Sequence, residues 1–276
     1  MNFKIVDSCV VGKNIDQQKC EDKVLILEDF VCIIDGATSK SEKLYNGETG
    51  GLIVSKIIEK ELKSIPRNIN ATNLTRLLTN AVKDYYVKNN LYEYMHSHPV
   101  DRFSATFVIY SDYHNEVWMI GDCQCLIGKI TYTNYKIIDD IIANTRAFFL
   151  EAEIVQGKAI NELMQKDIAR EYTLPLLIKQ SFFQNAKTDS IYNYSVIDGF
   201  EVNLKDIKII KVADKSIVLA SDGYPKLFDT LEESERYLEN VIKNDPLCIK
   251  IYKSTKGLTK NSNSFDDRSY IKIEKL

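Results

Sequence analysis

The spacing of apolar side chains changes period several times along this chain, and each change marks an element. Residues 24–27 and 30–34 are short, nearly continuous apolar runs separated by Glu28-Asp29, which reads as two strands joined by a tight antiparallel turn. Val54, Ile57, Ile58, Leu62 and Ile65 then share one helical face until Pro66, and Leu74, Leu77, Leu78, Ala81, Val82 and Tyr85 repeat that pattern. Two amphipathic helices lying on a sheet are predicted there. From residue 103 to about 132 the period falls to two, and 103–110, 116–120 and 123–127 read as consecutive strands joined by short turns. Residues 141–184 have helical character, with Pro175 as an interruption. Strand character returns at 191–197, 207–212 and 217–220, followed by a helix over 231–243, a polar loop over 255–264 and a last strand over 268–274.

Blocks of antiparallel strands with helices between them are not strict β-α-β alternation. The expected class is therefore an α+β layered sandwich and not a doubly wound parallel sheet. No linker rich in Pro, Gly or Ser divides the chain and no repeat is visible, so one domain spanning 1–276 is expected.

Composition narrows the function. Hydrophobic residues make up 45% and charged residues 27% of the 276, enough apolar material for a sizeable core. The net charge is -3 with both signs spread along the chain, and no basic block suggests a nucleic-acid groove or a membrane-surface helix. Asp7 interrupts the first apolar run, unlike a signal peptide, and no stretch approaches the roughly 20 apolar residues that span a bilayer. A soluble cytoplasmic protein is expected. Cys9, Cys20, Cys32, Cys123, Cys125 and Cys248 contain no C-x-x-C pair, so they read as reduced thiols and not as a zinc or thioredoxin motif.

Asp-Gly follows an apolar run three times, at Asp35-Gly36, Asp198-Gly199 and Asp222-Gly223. Such a pair commonly makes a hairpin turn, because both residues tolerate positive φ. Asp198-Gly199, flanked by strand-like residues on both sides, reads that way. The other two each lead from a buried strand into a loop and a helix. There a carboxylate beside a residue with no side chain lets a cation reach both the carboxylate and a backbone carbonyl, the all-oxygen environment that Mg²⁺ and Mn²⁺ prefer. Glu21-Asp22, Gly121-Asp122 and Asp266-Asp267 add acids at other strand boundaries, five clusters in all.

In order, Glu-Asp, an apolar strand into Asp-Gly, Ser-Ala-Thr with a strand, Gly-Asp, Leu-Ala-Ser-Asp-Gly and Asp-Asp-x-Ser with a closing strand resemble the metal-dependent protein phosphatase family, type 2C. The resemblance runs from about residue 14 to 273 and is strongest over 217–223, then 117–123 and 30–36. It implies a four-layer α/ββ/α sandwich of two antiparallel sheets flanked by helices, hydrolysing phosphoserine or phosphothreonine on a phosphorylated protein substrate with two Mn²⁺ or Mg²⁺ ions. By this resemblance Asp35 bridges both ions, the Gly36 carbonyl holds the second, Asp222 and Asp266 complete the first, and Glu21 and Asp22 hold metal-bound waters. Asp122 would join Asp222 at a third, weaker ion. Asp35 and Asp222 are the residues on which catalysis is expected to depend, by making water a nucleophile at phosphorus.

The chain also departs from that pattern. The family often carries an arginine that grips phosphate four residues before the Glu of Glu-Asp, and Gln17 stands there. Lys19 or Lys23 are the candidate substitutes, as point charges without the arginine's planar fork. Ala37 follows Asp-Gly where His or Met is common, and Gly50-Gly51 comes after an enlarged loop containing Lys40, Lys43 and Tyr45. Lys40, Lys43 and Lys56 read by default as surface lysines, with contact between the loop lysines and an anionic substrate as the alternative. A catalytically weak or inactive phosphatase-like fold, acting as a regulatory binding module, is the alternative.

Overall fold

A computed structural model describes residues 2–41, 43–260 and 262–276; Asn261, within the expected loop over 255–264, lies outside the described residues. Two five-stranded antiparallel sheets form its centre. In the first, β1 (Phe3–Val11), β12 (Arg268–Lys275), β11 (Ser216–Ala220), β8 (Gln124–Ile127) and β9 (Ile130–Thr133) lie side by side in that order. The second runs β10 (Lys208–Lys211), β7 (Glu116–Ile120), β6 (Ala105–Ser111), β3 (Phe30–Gly36) and β2 (Lys23–Ile26). A small hairpin, β4 (Leu44–Tyr45) and β5 (Glu48–Thr49), stands apart.

Strand β3 shows why its sequence is continuously apolar. Val31 and Ile33 enter the core between the sheets, with Val108, Met119, Cys125, Leu219 and Ile271. Cys32 and Ile34 enter a second core, against Val54, Ile58, Leu74, Leu78 and Val82. Both faces are buried, so the polar half of the usual alternation is lost. The helices of that outer layer are α1 (Gly50–Leu62), capped by the Thr49 hydroxyl, which accepts from Leu52 N (3.2 Å), and α2 (Ala71–Lys88), capped by Asn70; a short α3 (Tyr92–Ser97) follows. On the far side α7 (Leu231–Asn244) buries Leu238 and Val241 against Val218, Ala220 and Tyr270. Helix, sheet, sheet, helix is the four-layer α+β sandwich expected.

Between β9 and β10 the chain adds a helical lobe of α4 (Ile137–Val155), α5 (Ile160–Leu163) and α6 (Ile168–Lys179). Ala147, Leu150, Leu163 and Ala169 pack there with Leu247 and Ile249. Pro175, expected as an interruption, lies inside α6. Residues 191–197, expected as a strand, make only isolated bridges, Gln184 with Tyr194 and Ala105 with Ile197. Strands β7 and β8 are consecutive and joined by a short turn, as expected, and they belong to different sheets: the chain leaves one sheet at Ile120 and enters the other at Gln124. Among the described residues no helix is long and apolar enough to cross a membrane.

Candidate metal centre

Three carboxylates from different elements meet at one edge of the paired sheets. Asp35, opposite Thr106 in β6, shares the face of Val31 and Ile33 and so points towards the other sheet. Asp222 follows β11 of that other sheet. Asp122 lies where the chain crosses between them, just after Gly121, whose φ of +79° and lack of Cβ let the backbone turn close over Thr106. One oxygen from each of Asp35, Asp122 and Asp222 lies within 4.8 Å of the other two. Gly223 is required for the same reason of space: a Cβ there would lie 2.1 Å from the Asp267 carbonyl oxygen.

Carboxylates this close work against one another. Burial, then the charges of Asp22, Asp122 and Asp266, push Asp35 well above the ordinary carboxylate range, and Asp222 is raised by burial and by Asp35, Asp266 and Asp122. Asp22, also buried, accepts a hydrogen bond at Oδ2 from the Ser269 hydroxyl (2.8 Å) while its Oδ1 has no partner. Burial raises it to about 7, with further repulsion from Asp267 and Asp266 and relief from the Ser221 and Ser269 hydroxyls. An all-oxygen cluster with an orphaned buried oxygen beside it fits a hard divalent cation, which restores the ionised state of each acid.

The remaining acids are held by the protein. Glu21 Oε2 accepts from the Thr38 hydroxyl and Oε1 from the Thr49 hydroxyl, both at 2.5 Å, and Gly51 leaves room for that carboxylate. Asp267 accepts from Lys13 N (2.8 Å) and Glu21 N (3.0 Å), tying the Glu21-Asp22 segment to the start of β12. Asp266 forms ion pairs with Lys13 (3.3 Å) and Lys256; these outweigh its burial and hold it down at about 2. Lys13 and Lys256 were not singled out by sequence; the Asp267 partner of Lys13 lies 254 positions away.

A cleft of about 160 Å³ opens over Asp35, Asp122, Asp222 and Asp266. Its cationic side is made by Lys40, Lys136, Arg170, Lys256 and Arg102. Lys19 and Lys23, the expected phosphate-binding substitutes, are not among its lining residues: Lys19 is exposed beside Asp16 (3.9 Å) and Lys23 belongs to β2. Gln17 is exposed too, its Oε1 accepting from Gly12 N (2.7 Å). Lys40, read as a surface lysine, instead lines the cleft, whereas Lys43 pairs with Asp101 (2.7 Å) and Lys56 with Glu48. Asp198, read as a hairpin turn, is fully buried and accepts hydrogen bonds from Gln184, Asn185, Arg102 and Phe200 N.

No protein-family model and no curated protein matches the chain. Solved structures match over almost all of its length. The catalytic domain of the serine/threonine protein phosphatase PstP, in complex with two manganese ions, aligns at a TM-score of 0.50 and 12% identity, covering 99% of this chain and 97% of that one. PppA, a key regulatory component of T6SS in Pseudomonas aeruginosa, aligns at 0.48 and 13% identity over 100% and 99%, and Stp1 of Staphylococcus aureus at 0.45 and 15% over 98% and 95%. The chain has the layered fold of the type 2C phosphatases.

Proposed function

We propose that this chain is a divergent type 2C phosphatase, one domain over 1–276, that hydrolyses phosphoserine or phosphothreonine on protein substrates with Mn²⁺ or Mg²⁺. The observation that carries this reading is the meeting of Asp35, Asp122 and Asp222 within 4.8 Å at the base of a cleft. The fold is shared with a catalytic domain that binds two manganese ions. Asp35 and the Gly36 carbonyl, with Asp222 and Asp266, would hold the two ions; Glu21 and Asp22 would orient their waters, and Asp122 with Asp222 would hold a third. Bound there, the ions supply Lewis-acid neutralisation of phosphate oxygens and a water of lowered pKa to attack phosphorus. Thr38 and Thr49 fix the Glu21 carboxylate, and Asp267 fixes the backbone that carries it. A cytoplasmic setting agrees with six unpaired cysteines, five of them buried. The test is hydrolysis of p-nitrophenyl phosphate with Mn²⁺ by the wild type and by Asp35→Asn and Asp222→Asn. Activity confined to the wild type is expected; equal rates in all three would sink the assignment.

One observation favours a second reading, a phosphatase-like binding module without turnover. Both oxygens of Asp266 are already paired, Oδ1 with Lys13 and Oδ2 with Lys256. Absence of both phosphatase activity and a Mn²⁺-dependent rise in melting temperature would support it.

A further inference from the structure

We propose that Lys40 and Arg170 together bind the phosphoryl oxygens of the substrate, doing what the type 2C pattern assigns to the arginine replaced here by Gln17. The inference rests on the phosphatase reading and names the groups that would recognise a phosphate monoester in this cleft.

The cleft's other cations are already committed. Lys256 pairs with Asp266, Lys136 with Asp139 (3.2 Å) and Arg102 with Asp198 (3.2 Å). Lys40 and Arg170 differ: among the described residues neither has a carboxylate at ion-pair distance, and each spends one donor on a backbone carbonyl. Lys40 Nζ donates to Thr38 O (2.8 Å) and Arg170 Nη1 to Thr255 O (2.7 Å). An ammonium has three donors and a guanidinium five, so both keep N–H groups for a ligand. Lys40 follows β3, the strand that delivers Asp35; Arg170 stands in the first turn of α6. A group between them therefore lies beside the acids from both the sheet and the helical lobe.

Arg170 is also held in place. Arg146, 1% exposed, donates to Asp167, the N-cap of α6 (2.9 Å), and to the carbonyls of Leu247 (2.7 Å) and Ser254 (3.3 Å). The start of α6 is thereby locked to the segment carrying Thr255 and Lys256, and the Nη1–Thr255 bond holds the Arg170 guanidinium against that segment. Electrostatics agrees. Burial, then the charges of Arg170, Lys256 and Lys136, lower Lys40 to about 7, so an anion seated there would relieve a repulsion that the folded chain otherwise carries.

The test is steady-state kinetics with saturating Mn²⁺ on p-nitrophenyl phosphate and on a phosphothreonine peptide, with inorganic phosphate as inhibitor. Lys40→Met and Arg170→Gln should each raise KM and the phosphate inhibition constant about tenfold or more, the scale of a hydrogen bond to a charged group. The Mn²⁺-induced rise in melting temperature should be kept, and Arg170→Lys should recover part of the loss. Lys19→Ala should change neither constant. Values within twofold of wild type in both Lys40→Met and Arg170→Gln, with Asp35→Asn inactive, overturn this inference and leave the phosphatase reading standing. A wild type without activity removes that reading. Phosphate-dependent stabilisation of the wild type, lost in Lys40→Met, would then still support the anion site, and its absence would overturn that as well.

Discussion

Asp35 ends a strand of one sheet and Asp222 follows a strand of the other, yet one carboxylate oxygen of each lies within 4.8 Å of its counterpart. Nothing in the packing of the two sheets requires acids at that edge, and their mutual repulsion costs stability until a cation is present.

Removing one of these charges should therefore separate stability from function. In metal-free protein at neutral pH, Asp35→Asn and Asp222→Asn are expected to melt at or above the wild-type temperature, because a repelled, desolvated charge is gone. The same variants should lose at least about a hundredfold in Mn²⁺-dependent hydrolysis and the Mn²⁺-induced rise in melting temperature. Calorimetry with and without Mn²⁺ reads both effects; a strongly destabilised metal-free Asp35→Asn would count against the repulsion.

The pH dependence follows with a definite sign. Asp22, Asp35 and Asp222 are raised above their unfolded values, so the folded state holds their protons more tightly. Their contribution to stability is full below about pH 4 and is lost as pH climbs through the raised values, about 7 for Asp22. Added Mn²⁺ needs the ionised acids, so its stabilising effect should grow from pH 5 to pH 8. Thermal melts over that range with and without Mn²⁺ test this, and a metal effect that shrinks with pH would contradict it.

Lys40 yields a second pH effect, on affinity. Lowered to about 7, it loses its proton in the unliganded protein as pH rises past neutrality. Inhibition by inorganic phosphate should weaken between pH 7 and 9 more in the wild type than in Lys40→Met. Identical slopes for the two proteins would remove Lys40 from the site.

Two substitutions outside the carboxylate trio should act through structure. Asp198→Ala leaves Arg102 without its partner in a nearly buried position and strips Gln184 and Asn185 of an acceptor, so a loss of about 3 kcal/mol is expected. Gly223→Ala would press a methyl group against the Asp267 carbonyl, 2.1 Å away. It should cost about 1–3 kcal/mol and weaken Mn²⁺ binding by displacing Asp222. Chemical denaturation measures both; unchanged midpoints would refute these assignments.

Asp35 and Asp222 were legible in sequence because each ends an apolar run that must be buried, and an acid at such a boundary is conspicuous. So were the helices of residues 54–85, whose period is clean, and the layered class. Strand β1 was not: of its nine residues only Phe3 is buried and the register shifts after Ile5, so no alternation survives. The apolar residues before Asp198 imitated a strand although they are packed as loop around a buried acid. The cleft cations were hidden for another reason. Lys40 sits in a loop and Arg170 on an inserted lobe, and what either faces is decided by tertiary packing that local spacing does not encode.

The most direct measurement is anomalous diffraction at the manganese edge from crystals grown with Mn²⁺. A peak between the carboxylates of Asp35, Asp122 and Asp222 is the expected result. Manganese bound only elsewhere, or Asp35 and Asp222 turned apart with no ion between them, would contradict the metal centre described here.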